Sequence, residues 1–330
     1  MRIALAKGRI DREAEATFAE GLTRKPPYYF FSWISQDLEP ACRNKGWEVD
    51  TLSVGKPTPQ RLRVPDVVVN LITEPLVCRR ALDRLESIVR VQAVPMVNAV
   101  EAVRRSARTV LPHVIRAGNA DRVRVPLTTR FAGARDGLLS HIESAGHRWP
   151  ILLRPAGTHG SRGLEKVDSA SQLRAVGIIP SDVLVSDFVD FRSDDGLYRK
   201  YRMIWIDGRI FRRHIIAGLD WNVTGMSRTA MAERPKTITA EKDFLASSGD
   251  GLDERVAELF RIVGLDFGVI DFAVSDTGVI IVFELNGTFQ ISGSIPPQYR
   301  EGWAYLEANN TPIVDALIAS IARRAGKSID

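Results

Sequence analysis

The sequence predicts an α/β domain at its N-terminal end, followed by parts of the α+β class. Strand and helix patterns alternate over residues 1–94, which is typical of a parallel sheet with helices on its faces. The segment at 65–70 is rich in valine, as in a strand buried on both faces. Further along, two hairpin patterns centre on Asp207-Gly208 and on Thr277-Gly278, which are turn signals between antiparallel strands.

The remaining elements are expected from the spacing of apolar residues. Strands are predicted at 2–6, 48–53, 65–70, 91–98, 149–154 and 181–189, and helices at 11–24, 34–45, 99–110, 131–147, 252–263 and 311–324. The polar stretch 224–242 is expected to be irregular and to act as a lid, and 288–302 is expected to be a loop.

The composition is that of an ordinary globular protein. The 330 residues are 45% hydrophobic and 26% charged, which predicts two domains or one large domain with subdomains. The net charge of +5 allows nucleic-acid binding as one reading, but no long Lys/Arg block is present, so nucleic acid is not expected as a partner. Basic residues around a polyphosphate account for part of the charge.

Targeting signals are not recognised in the sequence. Cys42 and Cys78 belong to no CxxC motif, so we expect reduced structural thiols. The apolar run at 1–7 is shorter than a signal peptide, and no stretch of about 18 apolar residues predicts a membrane span. A cytoplasmic protein without membrane partners is therefore the expectation.

The hairpin around Thr277-Gly278 carries the clearest chemistry. With a two-residue tip, Asp271 lies opposite Glu284, and Asn286 shares their face because side chains alternate along a strand. The opposite face is wholly apolar and comprises Ile270, Phe272, Val274, Ile281, Phe283 and Leu285. Facing carboxylates repel unless a cation lies between them, and oxygen ligands of this kind suit Mg²⁺. The alternative is an ordinary hairpin with solvated acids, and a three-residue loop would break the parity.

This hairpin resembles the magnesium-binding signature of the ATP-grasp superfamily, in which an acid on one strand precedes a Glu-x-Asn on the next. The sequence Phe283-Glu284-Leu285-Asn286 is similar to that closing motif. The resemblance implies an ATP-grasp fold with an N-terminal pre-ATP-grasp domain, and ATP and Mg²⁺ as cofactors. It further implies Asp271, Glu284 and Asn286 as the metal ligands.

A glycine-rich loop follows the predicted strand at 149–154. Glycines let backbone amides approach phosphate oxygens, and hydroxyl groups add donors. The loop residues concerned are Gly157, Thr158, His159, Gly160, Ser161 and Gly163. With Arg154 on the preceding strand, the segment resembles the phosphate-binding flap of ATP-grasp proteins, although the family usually has lysine there. His159 is expected to cap the flap or to contact substrate, and a structural role is the alternative.

Two further segments are assigned by resemblance. Asp187-Phe188-Val189 matches the family's hinge tripeptide, commonly Glu-Phe-Ile, whose backbone meets adenine. The helix at 99–110 corresponds to one that carries a basic ATP ligand, for which Arg104 or Arg105 could stand in. A solvated arginine-rich helix face is the alternative for the latter. The segment 220–222 corresponds to the entry of a substrate-binding loop, or it ends a strand.

The hairpin around Asp207-Gly208 places Arg202 opposite Arg213. Like charges in this position are destabilising unless a polyanion lies across them. The pair resembles the family's Asp-x-Arg strand and later arginine, which stabilise the transferred phosphoryl group, although Lys200 stands where the family has Asp. Two solvated arginines are the alternative, and a slip of one residue would bring Arg212 to the place of Arg213.

The resemblance predicts three domains, namely a pre-ATP-grasp domain at 1–94, a subdomain with the flap at 95–185 and a subdomain with the metal hairpin at 186–330. It implies an ATP-dependent carboxylate–amine ligase, similar to glutathione-synthase-like and ribosomal-protein-glutamylating proteins, that acts on amino acids or a small peptide through an acylphosphate. A small-molecule kinase on the same fold and a nucleic-acid-binding module remain as alternatives. A homodimer is one assembly that the resemblance allows.

Overall fold

The computed structural model describes residues 1–11, 34–55, 63–291 and 302–328. The predicted helix at 11–24 lies outside the described residues, apart from residue 11, and so does most of the predicted loop at 288–302. In the described residues, the helices and strands form three sheets with helices packed against them.

The first sheet is parallel and has the strand order β2-β1-β3-β4. Its strands and associated helices are β1 (Arg2–Gly8), α1 (Ser35–Asn44), β2 (Glu48–Val54), β3 (Val67–Asn70), α2 (Arg79–Gln92) and β4 (Met96–Val97). All four residues of β3 are buried, as its valine run predicts. The predicted strand at 91–98 is wrong over its first half, because α2 continues to Gln92 and ends at Ala93 in the left-handed conformation.

The second sheet is antiparallel and has the order β6-β9-β7-β8. The elements of this part are α3 (Val100–Arg105), α4 (Leu111–Ala117), β6 (Thr128–Ala132), α5 (Leu138–Ser144), β7 (Ile151–Pro155), β8 (Glu165–Val167), α6 (Ala170–Ala175) and β9 (Asp182–Asp187). The predicted helix at 131–147 is too long. β6 continues to Ala132, and only 138–144 is α-helical, where Leu138 and Ile142 pack on the sheet.

The third sheet has the order β11-β10-β12-β13-β5, in which only the contact of β5 with β13 is parallel. Its elements are β5 (Val123–Arg124), β10 (Tyr198–Ile206), β11 (Arg209–Gly218), α7 (Arg228–Ala232), α8 (Pro235–Ala246), α9 (Leu252–Val263), β12 (Phe267–Val274), β13 (Ile280–Asn286) and α10 (Asn310–Arg324). The helices predicted at 252–263 and 311–324 are confirmed.

The polar stretch at 224–242 is helical rather than irregular, and this prediction is wrong. Glu241 of α8 is fully buried and accepts hydrogen bonds from Arg228 of α7, from Trp303 and from Tyr305. A buried carboxylate with this many donors stabilises the two helices against β11. Polar residues in the sequence therefore mark an internal network here and not a solvated lid.

Asn98 joins the first sheet to the third. Its backbone has a φ of 59°, and its side-chain amide donates to the Phe267 carbonyl at 3.0 Å while accepting from the Asp266 amide at 2.9 Å. The Asn98 amide in turn donates to the Asp266 carboxylate at 2.6 Å. These three hydrogen bonds fix the end of β4 against the start of β12, so the N-terminal sheet and the hairpin are positioned together. The predicted domain ranges remain a prediction.

Both cysteines are fully buried, at 0% exposure, and neither is in a disulfide. Burial raises the pKa of the Cys42 thiol to about 12 and raises the pKa of Cys78 still further. We therefore expect neither thiol to react with a thiol-specific reagent in the native protein at pH 8, and both to react after unfolding. A colorimetric thiol titration with and without denaturant checks this, and rapid labelling of native protein would contradict the burial. Among the described helices, none has the length and apolar character needed to cross a membrane.

Candidate active site

The hairpin of β12 and β13 brings together the three predicted metal ligands. Asp271 pairs with Glu284, and Asn286 pairs with Val269 two residues further along the same strands. All three side chains line one cavity of about 860 Å³, so the prediction that they share a face is confirmed. Within the described part of the chain, no cluster of three or more His, Cys, Asp or Glu residues could hold a metal by itself. Two carboxylates and an amide on one face fit Mg²⁺, which takes one or two protein carboxylates together with phosphate oxygens.

The predicted parity of this hairpin is reached by a different route. Val274 pairs with Ile280, so the connection is longer than the two-residue tip and places the strands one residue out of the expected register. A bulge at Phe283, between the pairs Asp271–Glu284 and Phe272–Val282, restores that register before the site.

Because of the bulge, the apolar face of the hairpin differs from the predicted one. Ile281 and Phe283 were expected on the buried side with Ile270 and Phe272, but they lie on the side of the cavity. Phe283 lines the cavity and contacts Phe191 with ring centroids 4.8 Å apart. The extra residue reverses the alternation of side chains beyond it, so apolar rings adjoin the carboxylates.

Positively charged side chains neutralise the two carboxylates. Arg202 of β10 makes two hydrogen bonds to Asp271, at 2.6 and 2.7 Å. Arg108 lies 2.6 Å from one oxygen of Glu284, and His159 lies 3.1 Å from the other, to which the Asn286 amide also donates. Burial alone would raise the pKa of Glu284, but Arg108 and His159 outweigh it and hold this pKa well below its usual value. Glu284 is therefore ionised, as a metal ligand must be.

Arg108 was not assigned a role in the sequence prediction, which offered only Arg104 or Arg105 on this helix as the basic ATP ligand. Arg104 pairs with Asp83 and Glu86 on the surface, and Arg105 donates to a backbone carbonyl of α9. Arg108 follows the helix and is only 13% exposed, with its guanidinium directed at Glu284. Three arginines within five positions indicated that a basic residue of this segment reaches the site, but their spacing did not identify which one.

The glycine-rich loop between β7 and β8 borders the same cavity. The predicted loop residues Gly157, Thr158, His159, Gly160 and Ser161 all line it. Positive φ angles occur at Gly157 (74°), Gly160 (63°) and Gly163 (65°). At Gly163 a β-carbon would also come within 2.9 Å of the Pro155 ring, so glycine is required there.

Arg154 lies on β7, two residues from the cavity residue Leu152, but it does not itself line the cavity. It donates to the Thr158 carbonyl at 3.1 Å. Burial and the neighbouring Arg108 lower the pKa of Arg154 to about 10, which still leaves it charged at neutral pH. The positive charge of Arg108 thus opposes the charge of Arg154, and a bound anion would offset this repulsion.

The hairpin of β10 and β11 departs from its predicted register. Pairing follows the prediction from the turn to Met203–Arg212, and then a bulge makes Arg202 pair with His214. The prediction that Arg213 lies opposite Arg202 is therefore wrong. Arg213 is buried and donates to the backbone carbonyls of Leu306 and Ile291. Burial, with Arg202 nearby, lowers its pKa to about 10.

The substitute candidate, Arg212, is also engaged elsewhere. It donates to Asp250 at 2.6 Å and to Asp253 at 2.9 Å, at the N-terminal end of α9. His214 takes the position opposite Arg202, and burial together with the positive charge of Arg202 keeps its pKa well below its usual value. A neutral imidazole therefore faces Arg202 instead of a second guanidinium.

Lys200 is a further site residue that the sequence reading left unassigned. It lies two residues before Arg202, on the same face of β10, and lines the cavity. Burial lowers the pKa of Lys200, and Asp271 opposes this effect. Sequence alternation alone places Lys200 beside Arg202, so the signal was present.

The predicted hinge residues Asp187, Phe188 and Val189 all line the cavity at its other end. The amides of Asp187 and Phe188 are bonded to the carbonyls of Leu127 and Pro150, at 2.9 and 3.0 Å. The Asp187 carboxylate accepts from His147 at 2.7 Å. Phe188 meets the ring of Trp221 edge-on at 5.8 Å.

The cavity therefore runs from an apolar end to a charged end. The apolar end is lined by Pro126, Leu152, Phe188, Val189, Phe191, Trp221, Val223 and Phe283. Beyond the charged groups, the cavity reaches the N-terminal part of the molecule, where Ile10, Gln36 and Thr73 contribute, together with Thr288, Phe289 and Gln290. This gradient suits a ligand with a planar apolar end and a polyanionic end.

Comparisons with known proteins locate the fold. No family model matches the sequence, and no curated protein matches it. Among solved structures, the D-alanine–D-alanine ligase from Bacillus anthracis is similar over 99% of both chains, with a TM-score of 0.54 and 11% identity. The same ligase complexed with ATP gives a TM-score of 0.54 and 12% identity, over 99% of this chain and 98% of that chain.

A second ligase gives a similar result. The D-alanine–D-alanine ligase from Coxiella burnetii is 13% identical, with a TM-score of 0.51 over 99% of this chain and 96% of that chain. At this level of identity the similarity concerns the fold alone. The chain has the ATP-grasp fold.

Proposed function

We propose that this protein is an ATP-dependent ligase that joins a carboxylate to an amine. ATP phosphorylates the carboxylate, the amine displaces phosphate from the resulting acylphosphate, and ADP and phosphate are released. One observation carries this proposal. The paired carboxylates Asp271 and Glu284 share a single cavity with a glycine-rich loop and with the cationic side chains of His159, Lys200 and Arg202. Two further guanidinium groups adjoin these residues, because Arg108 pairs with Glu284 and Arg154 donates to the loop at Thr158.

The charged end of the cavity accounts for metal and phosphate binding. Asp271, Glu284 and Asn286 would hold Mg²⁺, which supplies positive charge to the β- and γ-phosphates when it is bound. The loop at 157–163 would present backbone amides to phosphate oxygens, and Arg154 supports the loop by donating to the Thr158 carbonyl. Arg108 pairs with Glu284 and can bind a phosphate in its place, because carboxylate and phosphate both offer anionic oxygens to a guanidinium group.

The transfer step relies on positioning and charge. Arg202 and Lys200 approach from β10 and neutralise the charge that develops on the phosphoryl group as it moves to the carboxylate oxygen. Arg213 has a different role in this proposal, because its guanidinium holds the backbone at Ile291, next to the cavity residues 288–290. No side-chain nucleophile is required for this chemistry.

The apolar end of the cavity suits adenine. Phe188, Phe283 and Trp221 supply aromatic contacts, and the hinge at 187–189 supplies polar backbone groups at the edge of the slot. Since the amides of Asp187 and Phe188 are already bonded in the sheet, we assign the amide of Val189 to the base. An ATP complex of one ligase with this fold supports the assignment of ATP as the nucleotide.

The substrate class follows from the same comparison. The ligases that share this fold act, by their names, on D-alanine, so amino acids or a small peptide are the proposed substrates. The cavity continues past the metal residues to Gln36, Thr73 and Gln290, which can donate to and accept from an amide or a carboxylate. A homodimer and a cytoplasmic location stay predictions from the sequence.

A phosphate-release screen over pairs of amino acids tests this function. We expect ADP and phosphate to appear only when a suitable carboxylate and amine are both present with Mg·ATP. Mass spectrometry of the product should show the joined pair without phosphate. ADP formation with a phosphorylated product would favour a kinase instead, and salt-sensitive nucleic-acid binding without nucleotide turnover would reject enzymatic function.

A further inference from the structure

A histidine in the glycine-rich loop bridges two carboxylates from different parts of the fold. His159 Nε2 lies 2.7 Å from Glu74, and Nδ1 lies 3.1 Å from Glu284. Both ring nitrogens therefore donate, which requires the charged imidazolium. Glu74 has no part in the metal hairpin and comes from the loop that follows β3.

The loop that carries Glu74 is rigid. The Glu74 carbonyl accepts from the amides of Val77 and Cys78, at 3.2 and 3.0 Å, which forms a turn at the start of α2. Upstream, the Asn70 side chain accepts from the Ile72 amide at 3.0 Å and donates to the Asn98 carbonyl at 3.1 Å. The carboxylate of Glu74 is only 6% exposed. The Glu74 side chain is therefore carried by a loop segment whose backbone is held by hydrogen bonds on both sides.

The segment that carries Glu74 also packs against the hairpin of β12 and β13. A β-carbon at Gly287 would come within 3.1 Å of the Asn98 amide nitrogen and 3.7 Å of the Thr73 methyl group. Asn98 is in turn bonded to the first residues of β12. Glu74 and Glu284 are thus held at a fixed spacing, and His159 enters between them from the loop.

Among the described residues, hydrogen bonds hold the glycine-rich loop mainly to itself and to its own strand. Its positive φ angles at Gly157, Gly160, Ser161 and Gly163 reflect a backbone that other residues would rarely adopt. Thr158 and Arg154 bond the base of the loop to its own strand, at the Pro155 and Thr158 carbonyls. Contact with the N-terminal part is made through His159, which lies at the middle of the loop.

We propose that Glu74 is a positioning residue that acts through His159 to hold the glycine-rich loop closed over the phosphates. This role rests on the proposed nucleotide site. Glu284 is also a proposed metal ligand, so its bond to His159 competes with the binding of Mg²⁺ by the same carboxylate. Glu74 lies outside that ligand set, so it retains His159 when Glu284 is engaged by the metal.

Limited trypsin digestion of the nucleotide-free protein tests the anchor directly. Arg162 is exposed in the loop, and cleavage there gives a fragment that begins at Gly163, which mass spectrometry identifies. Cleavage follows the population of the open loop. We expect Glu74→Leu to increase the cleavage rate at Arg162 by about tenfold, because a charge-assisted hydrogen bond is lost. Glu74→Gln keeps an acceptor oxygen and should give a smaller increase.

The matched control is Glu86→Gln, which changes a surface glutamate that pairs with Arg104. It should leave cleavage at Arg162 unchanged. Circular dichroism shows whether each variant is folded. If Glu74→Leu does not fold, the comparison of Glu74→Gln with the wild type still tests the proposal. Equal cleavage at Arg162 in a folded Glu74 variant and in the wild type would overturn the anchor.

Nucleotide binding separates this inference from the proposed function. In the Glu74 variants, the Kd of Mg·ATP measured by calorimetry should rise about tenfold, with a smaller change in kcat at saturating ATP. If the wild type bound no nucleotide while Glu74→Leu still exposed Arg162, the proposed function would fail and the loop anchor would stand. If Mg·ATP bound equally well to both proteins, Glu74 would have no role in holding the phosphates.

Discussion

Replacement of Glu284 by glutamine is expected to abolish Mg²⁺-dependent ATP turnover, with a loss on the order of 10³-fold or more. The change removes one negative charge from the pair that would hold the metal, while the size of the side chain stays the same. It also removes the anionic partner of Arg108 and one of the two anionic partners of His159. Both cations would then repel Mg²⁺ from the hairpin, which adds to the loss of the ligand.

Turnover is measured as ADP release at saturating Mg·ATP with the substrate pair found in the screen. Glu254→Gln is the matched control, because Glu254 is exposed on the first turn of α9 and lies outside the cavity. Thermal unfolding followed by circular dichroism shows whether the variant is folded. Wild-type turnover in folded Glu284→Gln would reject the metal assignment.

Replacement of Arg202 by alanine is expected to slow phosphoryl transfer much more than it weakens ATP binding. The cost is about 3 kcal/mol in the barrier, which is roughly a hundredfold in rate. Arg202 meets Asp271 with two hydrogen bonds, so its guanidinium is already oriented beside the metal residues. A donor that is fixed before the reaction stabilises developing charge without reorganisation.

Single-turnover kinetics separates the transfer rate from the Kd of Mg·ATP in this variant. Arg202→Lys retains the charge but not the bidentate geometry, and it should recover only part of the rate. Arg199→Ala is the control on the same strand, since Arg199 pairs with Asp195 and does not line the cavity. An unchanged transfer rate in Arg202→Ala, or a loss confined to ATP affinity, would contradict this role.

The face that carries Asp271, Glu284 and Asn286 could be predicted from the sequence because strand alternation is a strong constraint. Asp271, Glu284 and Asn286 do share a face, as a simple hairpin predicts. The prediction succeeded although its turn was wrong, since the bulge at Phe283 offsets the longer connection. The same bulge moved Phe283 itself from the expected core to the cavity. A bulge has no fixed sequence signature, so parity beyond it could not be read from the chain.

Arg213 illustrates the opposite outcome. The turn at Asp207-Gly208 was identified, and pairing followed it as far as Met203 and Arg212. One extra residue next to the site then turned Arg213 away from Arg202 and put His214 in its place. A register shift of one residue exchanges the two faces of a strand. The prediction for Arg213 therefore depended on the position of the bulge, which residue propensities do not predict.

Residues that meet the site from distant segments were the hardest to foresee. Arg108 and Glu74 are separated from Glu284 by more than half of the chain in sequence, yet both belong to the same charged cluster. Their roles depend on how three sheets pack together, and no local pattern states that. The glycine-rich loop and residues 187–189 could be placed at one site because resemblance to a known family supplied the long-range arrangement, and both segments do line the cavity. Their phosphate and adenine roles stay predictions.

The central claim is that this site transfers a phosphoryl group from ATP to a carboxylate. Turnover with a substrate whose carboxylate carries ¹⁸O tests it most directly, followed by mass spectrometry of the released phosphate. The carboxylate oxygen attacks the γ-phosphorus, and the amine later breaks the carbon–oxygen bond, so one labelled oxygen should leave with the phosphate. Phosphate without label would contradict the acylphosphate and, with it, the proposed ligase.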